Sequence, residues 1–282
     1  MQIFKEKEAL KSVLRTFQND DLSVGFVPTM GALHQGHISL VSQALKSCDR
    51  VVVSIFVNPT QFDNPADLQK YPRTLDRDID LLSGLEAELL IFIPMPSEVY
   101  GAEVVSEHFL FDGLENQMEG KYRKGHFDGV GTVVKKLFEI VEPDKAFFGE
   151  KDFQQLQIIR KLVEKNNLNI EIIGCPIDRE GSGLARSSRN ERLAPEQRLK
   201  ARFLYETLTR VRQDFGTKSA TEITHWVEDQ FNANPELKLE YFEIADVETL
   251  QTIEETRDGK KYRAFIAAYS GEIRLIDNIA LN

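Results

Sequence analysis

The strongest constraint on how this chain can fold is an alternation of two patterns along its first 175 residues. Short apolar runs rich in β-branched and aromatic residues recur at 24–27, 51–57, 89–93, 146–148 and 170–173. Their lack of an apolar-polar alternation predicts strands buried on both faces. Between them lie stretches with helical spacing: Ile38, Val41 and Leu45; residues 75–85; and Val130, Val134, Leu137 and Ile140. Strand, helix, strand in repetition predicts a Rossmann-like parallel sheet covered by helices. After Cys175-Pro176 the texture changes to a Gly- and Ser-containing loop at 180–189, a charged helical pattern over 195–214 and a further helix over 220–231. Strands are expected near 241–245, 264–269 and 273–276, with Asp258-Gly259 as a turn. The expectation is an α/β domain over 1–175 and a smaller α+β lid domain over 176–282.

Charge and cysteine content then remove several functional classes. A net charge of −10 over 282 residues opposes a phosphate backbone, so nucleic acid is not an expected partner. Cys48 and Cys175 form no CxxC pair, which argues against a disulfide framework, a thiol redox motif or a zinc knuckle. No run is long and apolar enough to cross a membrane, and the N-terminus carries charges at helical spacing instead of a signal-peptide core. The expected location is the cytoplasm.

Four segments carry chemistry. The first, Gly25-Phe-Val-Pro-Thr-Met-Gly-Ala-Leu-His-Gln-Gly-His37, joins a strand end to a helix N-terminus, where backbone N–H groups and the positive helix end suit a phosphate. Gly31 and Gly36 remove side chains where a nucleotide would approach. His34 and His37, three residues apart, can face one phosphate. They could equally be surface caps or a metal pair, although a metal would want a third ligand. The second, Ser54-Ile-Phe-Val-Asn-Pro-Thr-Gln-Phe62, sets the amides of Asn58 and Gln61 at a strand end, where they could bind hydroxyl and carboxylate groups; read alone it is also an ordinary Asn-Pro turn. In the third, Asp144-Lys-Ala-Phe-Phe-Gly-Glu-Lys-Asp-Phe-Gln-Gln155, the strand-loop-helix pattern returns. Lys151 can act as a point charge on phosphate oxygens, Asp152 can hold a ribose or cap the helix, and Gln155 lies one turn along. The fourth, Leu184-Ala-Arg-Ser-Ser-Arg-Asn-Glu-Arg-Leu193, offers Ser187, Ser188 and Arg189 as a mobile loop around phosphates.

An HxGH string after a strand resembles the nucleotidyltransferase superfamily that includes class I aminoacyl-tRNA synthetases. The longer PTMGALHQGH, with VNPTQF, FGEKDxQQ and SSRN in order, resembles the pantothenate synthetase family. That resemblance implies activation of pantoate by ATP through a pantoyl adenylate and capture by β-alanine, with Mg²⁺ on the triphosphate and a homodimer as the assembly. It implies His34, His37 and Lys151 as catalytic residues. Met30, Gly31, Ala32, Leu33, His34, Gln35, Gly36, His37, Gly149, Glu150, Lys151, Asp152, Asp178, Arg186, Ser187, Ser188 and Arg189 would bind ATP, while Asn58, Gln61 and Gln155 would bind substrate. Arg186 stands where the family commonly carries methionine. Gly125-His-Phe-Asp-Gly-Val resembles the family's pantoate-side wall, but a capping or core role serves His126 equally well, and it is left outside the site.

Overall fold

A computed structural model describes residues 1–62 and 65–282. Two compact units divide the chain: residues 1–115, 119–150 and 155–176 form the first, and 116–118, 151–154 and 177–282 form the second. Lys151 and Asp152, expected within a first domain over 1–175, group with the second unit.

The first unit contains the strands β1 (Gln2–Phe4), β2 (Val24–Thr29), β3 (Arg50–Ile55), β4 (Leu89–Phe92), β5 (Lys145–Gly149) and β6 (Glu171–Cys175). Along the same stretch of chain run α1 (Lys7–Asn19), α2 (Gln35–Ser47), α3 (Pro65–Lys70), α4 (Leu75–Ser83), α5 (Pro96–Tyr100), α6 (Met118–Tyr122), α7 (His126–Val141) and α8 (Phe153–Lys165). The strands form one sheet in the order β1-β4-β3-β2-β5-β6, and every pairing is parallel. Val51, Val52 and Val53 of β3 are fully buried, as expected of a strand covered on both faces. Val27, Leu33, Val41, Val51, Val53, Leu82, Ile91 and Phe147 share one core cluster. The α/β reading of this half therefore holds, with one addition. The N-terminal residues carry helical spacing in the sequence, but the register of β1 with β4 (Ile3 opposite Ile91) makes them an edge strand.

Strand order decides where a ligand can sit. From β2 the chain steps outward through β3 and β4, then returns to place β5 on the other side of β2. The crevice at such a switch point, beyond the carboxyl ends of the two central strands, is the usual ligand position in open α/β sheets. Here those ends are Thr29 and Gly149, on adjacent parallel strands aligned with Gly25 opposite Lys145.

The second unit holds α9 (Pro195–Lys200), α10 (Phe203–Asp214), α11 (Ala220–Asn232) and an antiparallel sheet of β7 (Lys238–Asp246), β8 (Tyr262–Ser270) and β9 (Ile273–Ala280). Leu204, Leu208, Val227, Phe231, Ile244, Ile266 and Leu275 pack its core. The charged pattern over 195–214 becomes two helices, not one, broken at Ala201 and Arg202. Both cysteines are free thiols. Among the described residues, no helix is long and apolar enough to cross a membrane.

Candidate active site

At the end of β2 the chain makes a turn that only particular residues allow. Gly31 has φ +78° and Ala32 φ +49°, the left-handed region that favours glycine. A Cβ on Gly31 would also lie 3.1 Å from Asp78 Oδ2 and 3.2 Å from Ile55 Cγ2. Thr29 donates its hydroxyl to the Ser54 carbonyl at 2.7 Å, and its oxygen accepts the Gly31 N–H at 3.3 Å. Protein contacts thus account for Gly31 without a ligand.

The loop amides also have protein partners. Ala32 N–H and Leu33 N–H donate to the two carboxylate oxygens of Asp78 at 2.9 and 2.8 Å. Asp78, 1% exposed, accepts the Thr74 hydroxyl as well, at 3.0 Å. His34 caps α2 in an extended conformation, and its Nδ1 accepts the Gly36 N–H at 3.2 Å. His37 Nδ1 reaches back to accept the His34 N–H at 3.3 Å. The corner is expected to offer free backbone N–H groups to a phosphate; those of residues 32, 33, 34 and 36 are engaged within the protein. What the corner offers instead is imidazole. Because each Nδ1 accepts a backbone N–H, the proton of each neutral ring sits on Nε2. The ring centroids are 4.1 Å apart. Ala32 and Leu33 are buried, and Leu33 belongs to the core; Met30, His34, Gly36 and His37 are partly exposed and Gln35 exposed.

The loop after β3 leaves the same sheet edge, since Thr29 lies opposite Ile55. Asn58 caps the short turn 59–61, its Oδ1 accepting from the Thr60 N–H at 3.3 Å and hydroxyl at 3.1 Å. The Tyr100 hydroxyl donates to the same oxygen, and burial raises that phenol above its ordinary value, keeping it a donor. Asn58 Nδ2 donates to the Gly129 carbonyl at 3.2 Å and to Gln61 Oε1 at 3.1 Å. Both amide hydrogens of Asn58 are donated within the protein, the residue is 1% exposed, and one of these bonds holds the Gln61 side chain. Gln61 Nε2 in turn meets Met30 Sδ at 2.8 Å, so the β2 and β3 loops come together there.

His126, the first residue of α7, extends this bracing. Arg123 can only donate, so its contact at 3.0 Å makes His126 Nε2 an acceptor. Nδ1 then carries the proton and donates to the Gln61 carbonyl at 2.9 Å. Gly129 lets α7 approach the turn, since a Cβ there would lie 2.3 Å from the Thr60 carbonyl oxygen.

At the end of β5, Gly149 and Glu150 are partly exposed, and Gln155 lies in the first turn of α8, also partly exposed. A Cβ on Gly149 would meet no protein atom within 4 Å.

Lys151, Asp152, Asp178, Arg186, Ser187, Ser188 and Arg189 belong to the second unit. Lys151 Nζ is 3.7 Å from Asp152 Oδ1. A narrow hairpin with an Arg179-Ala185 bridge leads into the serines. Arg186 is not a spare cation: it pairs with Asp178 at 2.9 Å. Ser187 caps the 188–192 turn by accepting the Arg189 N–H at 3.3 Å, and Ser188 is buried. Asp78, Tyr100 and Arg123 also brace these loops, and the sequence does not single them out. The only available signal was a polar residue on the buried face of α4, one turn from Leu82.

The profile of the pantoate-beta-alanine ligase family matches residues 2–280. The chain belongs to that family. A pantothenate synthetase of Christiangramia forsetii is 62% identical over 282 residues, the full length of both chains. The crystal structure of pantothenate synthetase from Thermus thermophilus superposes with a TM-score of 0.91 at 40% identity, covering 100% of this chain and 99% of that one. A pantoate-beta-alanine ligase from Francisella tularensis, complexed with beta-gamma ATP and beta-alanine, gives a TM-score of 0.81 at 37% identity, with 100% and 98% covered. Family membership and the α/β architecture expected from the motifs agree.

Proposed function

We propose that this protein joins pantoate to β-alanine at the expense of ATP. A carboxylate is a poor acyl donor, because its charge is delocalised and its leaving group would be oxide. In the first step a pantoate carboxylate oxygen attacks the α-phosphorus of ATP; the bond to the bridging oxygen breaks and pyrophosphate leaves. In the second, the β-alanine amine attacks the acyl carbon of pantoyl adenylate, AMP departs with the bonding pair and the amine proton passes to solvent or base. The observation that carries this reading is the switch point between β2 and β5, with the HxGH corner at the end of one strand and Gly149 at the end of the other.

His34 and His37 donate through Nε2 to phosphate oxygens that gain charge as pyrophosphate leaves. Lys151, Ser187, Ser188 and Arg189 supply further donors to the triphosphate. Met30 to Gly36, Gly149, Glu150, Asp152, Asp178 and Arg186 line the nucleotide. Gln61 and Gln155 bind pantoate, with Asn58 holding Gln61. Residues 1–175 carry the ATP and pantoate subsites, and 176–282 serve as a lid. The protein works in the cytoplasm as a homodimer.

Mg²⁺ fits as an ion carried on the triphosphate. Among the described residues, no three His, Cys, Asp or Glu side chains group to hold a metal, which suits a cation that keeps its waters and phosphate ligands. Bound there it would offset phosphate charge.

An assay omitting ATP, pantoate or β-alanine in turn tests the reading. AMP and pantothenate should form together only when all three are present. Formation of ADP, or pyrophosphate release with transfer of the adenylyl group to a phosphorylated acceptor in place of pantoate, would overturn it.

A further inference from the structure

Within the second unit, one residue of the C-terminal strand is bonded to the backbone of Lys151. Asn278 of β9 donates from Nδ2 to the backbone carbonyl of Lys151 at 2.9 Å, across 127 positions of sequence. It is 2% exposed, and its other polar groups are engaged too. Arg263 donates to Oδ1, the backbone N–H donates to Asp277 Oδ1 at 2.8 Å, and the carbonyl accepts from Arg179 Nη2 at 3.4 Å. Two residues past Lys151, Phe153 is gripped as well. The Arg263 guanidinium lies 4.1 Å over its ring, and Phe265 packs at 6.0 Å between centroids. Gln154, the next residue, donates to the Gln117 carbonyl at 2.8 Å. The Lys151 carbonyl is thus bonded to β9 and the Phe153 ring packs on β8, in keeping with the grouping of 151–154 in the second unit.

The neighbouring residue ties the same strand to the serine loop. Asp277, 3% exposed, accepts from Arg179 Nη1 at 2.6 Å and Nη2 at 2.9 Å. That bidentate geometry fixes the guanidinium in direction as well as distance. Arg179 also donates to the Gly183 carbonyl at 3.0 Å and lies 3.9 Å over the Tyr205 ring. A Cβ on Gly183 would fall 2.4 Å from Tyr205 Cδ1, and its φ is +91°, so the hairpin that delivers Ser187 to Arg189 is seated on Tyr205 and Arg179.

We propose that Asn278 is a positioning residue for the adenylation step, fixing the Lys151 backbone so that the ammonium meets the nucleotide phosphates, and that Asp277 sets the serine loop from the same strand through Arg179. The proposal rests on the reading of Lys151 as a phosphate contact. Neither residue of the pair touches substrate. Their effect runs through the placement of groups that do, and a misplacement of about 1 Å at such a group can cost roughly 10²-fold in rate.

The test compares Asn278→Asp, Asn278→Ala, Lys151→Ala and the double variant Lys151→Ala/Asn278→Asp. Asn278→Asp keeps the shape and the acceptor for Arg263 while turning the donor to Lys151 into a charged acceptor, and Asn278→Ala removes the donor without adding charge. Single-turnover formation of pantoyl adenylate, measured without β-alanine, should fall about tenfold or more in Asn278→Asp, within the range expected for a displaced charged group. Capture of preformed, enzyme-bound adenylate by β-alanine should change less than about twofold, since that step does not use the triphosphate contacts. In the Lys151→Ala background, Asn278→Asp should add little further loss, because residues acting as one unit are non-additive. Multiplicative losses in the double variant, or equal losses in both half-reactions, would overturn the proposal. A Lys151→Ala variant with unimpaired adenylation would instead remove the reading on which it rests. Melting temperatures of all four report folding, and Asn278→Ala decides the matter should the Asp variant not fold.

Discussion

The carboxylate of Asp78 accepts the N–H of Ala32 at 2.9 Å, 46 positions earlier in the chain, and its second oxygen accepts the N–H of Leu33. A single buried side chain from α4 thereby fixes the left-handed turn that launches the HxGH corner. Replacing Asp78 by Ala leaves two buried amides without their acceptors. The expected cost is about 1–3 kcal/mol for each donor left unsatisfied. Thermal unfolding should show the loss, and the Michaelis constant for ATP should rise because the histidines lose their platform. Unchanged stability together with unchanged ATP dependence would contradict this role.

Asn58 is expected to act on pantoate through Gln61. Asn58→Ala removes the donor to Gln61 Oε1 and the acceptor for Thr60. The Michaelis constant for pantoate should rise, with ATP binding in the absence of pantoate little changed. An equal loss of affinity for both substrates, measured by calorimetry for ATP and by kinetics for pantoate, would argue for collapse of the sheet edge instead.

Gly149 poses the reverse case. No protein atom lies where its Cβ would be, and its φ is not in the left-handed region, so alanine should be accepted or even stabilise slightly, by about 0.4–1 kcal/mol through the unfolded chain. A ligand that approaches this backbone would feel the methyl. Gly149→Ala should keep its melting temperature while its affinity for ATP falls; an unaltered affinity would place the nucleotide elsewhere.

How much of this was legible beforehand follows from the range of the interactions. The β2–α2 corner was readable because its strand, its glycine and its histidines are contiguous. β1 was not, since Ile3 and Phe4 continue the helical spacing of α1 and only an edge register with β4 makes them a strand. Asp78 looked like a polar residue on a helix, because its partners are backbone amides, which leave no trace in side-chain spacing. The fixing of Lys151 by Asn278 spans 127 positions and depends on antiparallel pairing that no local pattern announces. Arg186 of the serine loop is paired with Asp178, and beyond the loop Arg198 of α9 pairs with Glu180; neither pairing shows in local spacing.

That last pair gives a pH signature. Burial works to raise the Glu180 carboxyl, but hydrogen bonds from Arg198 and Asn190 outweigh it and hold the group below its ordinary value of 4.5. For an acid whose folded-state value is lowered, the stabilisation is present above the unfolded value and is lost as pH falls through the folded one. Arg198→Met should therefore be less stable than the parent at about pH 7, and the gap in urea midpoint should narrow towards about pH 4 as the parent loses its advantage. A gap independent of pH would mean that packing of the arginine stem, not its charge, sets the difference.

The central claim is that pantoate attacks the α-phosphorus of ATP through its own carboxylate. It is tested most directly by supplying pantoate labelled with ¹⁸O in the carboxyl group and analysing the products by mass spectrometry. One labelled oxygen should appear in the phosphate of AMP and the other should remain in the amide carbonyl of pantothenate. Unlabelled AMP, or label in inorganic phosphate accompanied by ADP, would contradict the account.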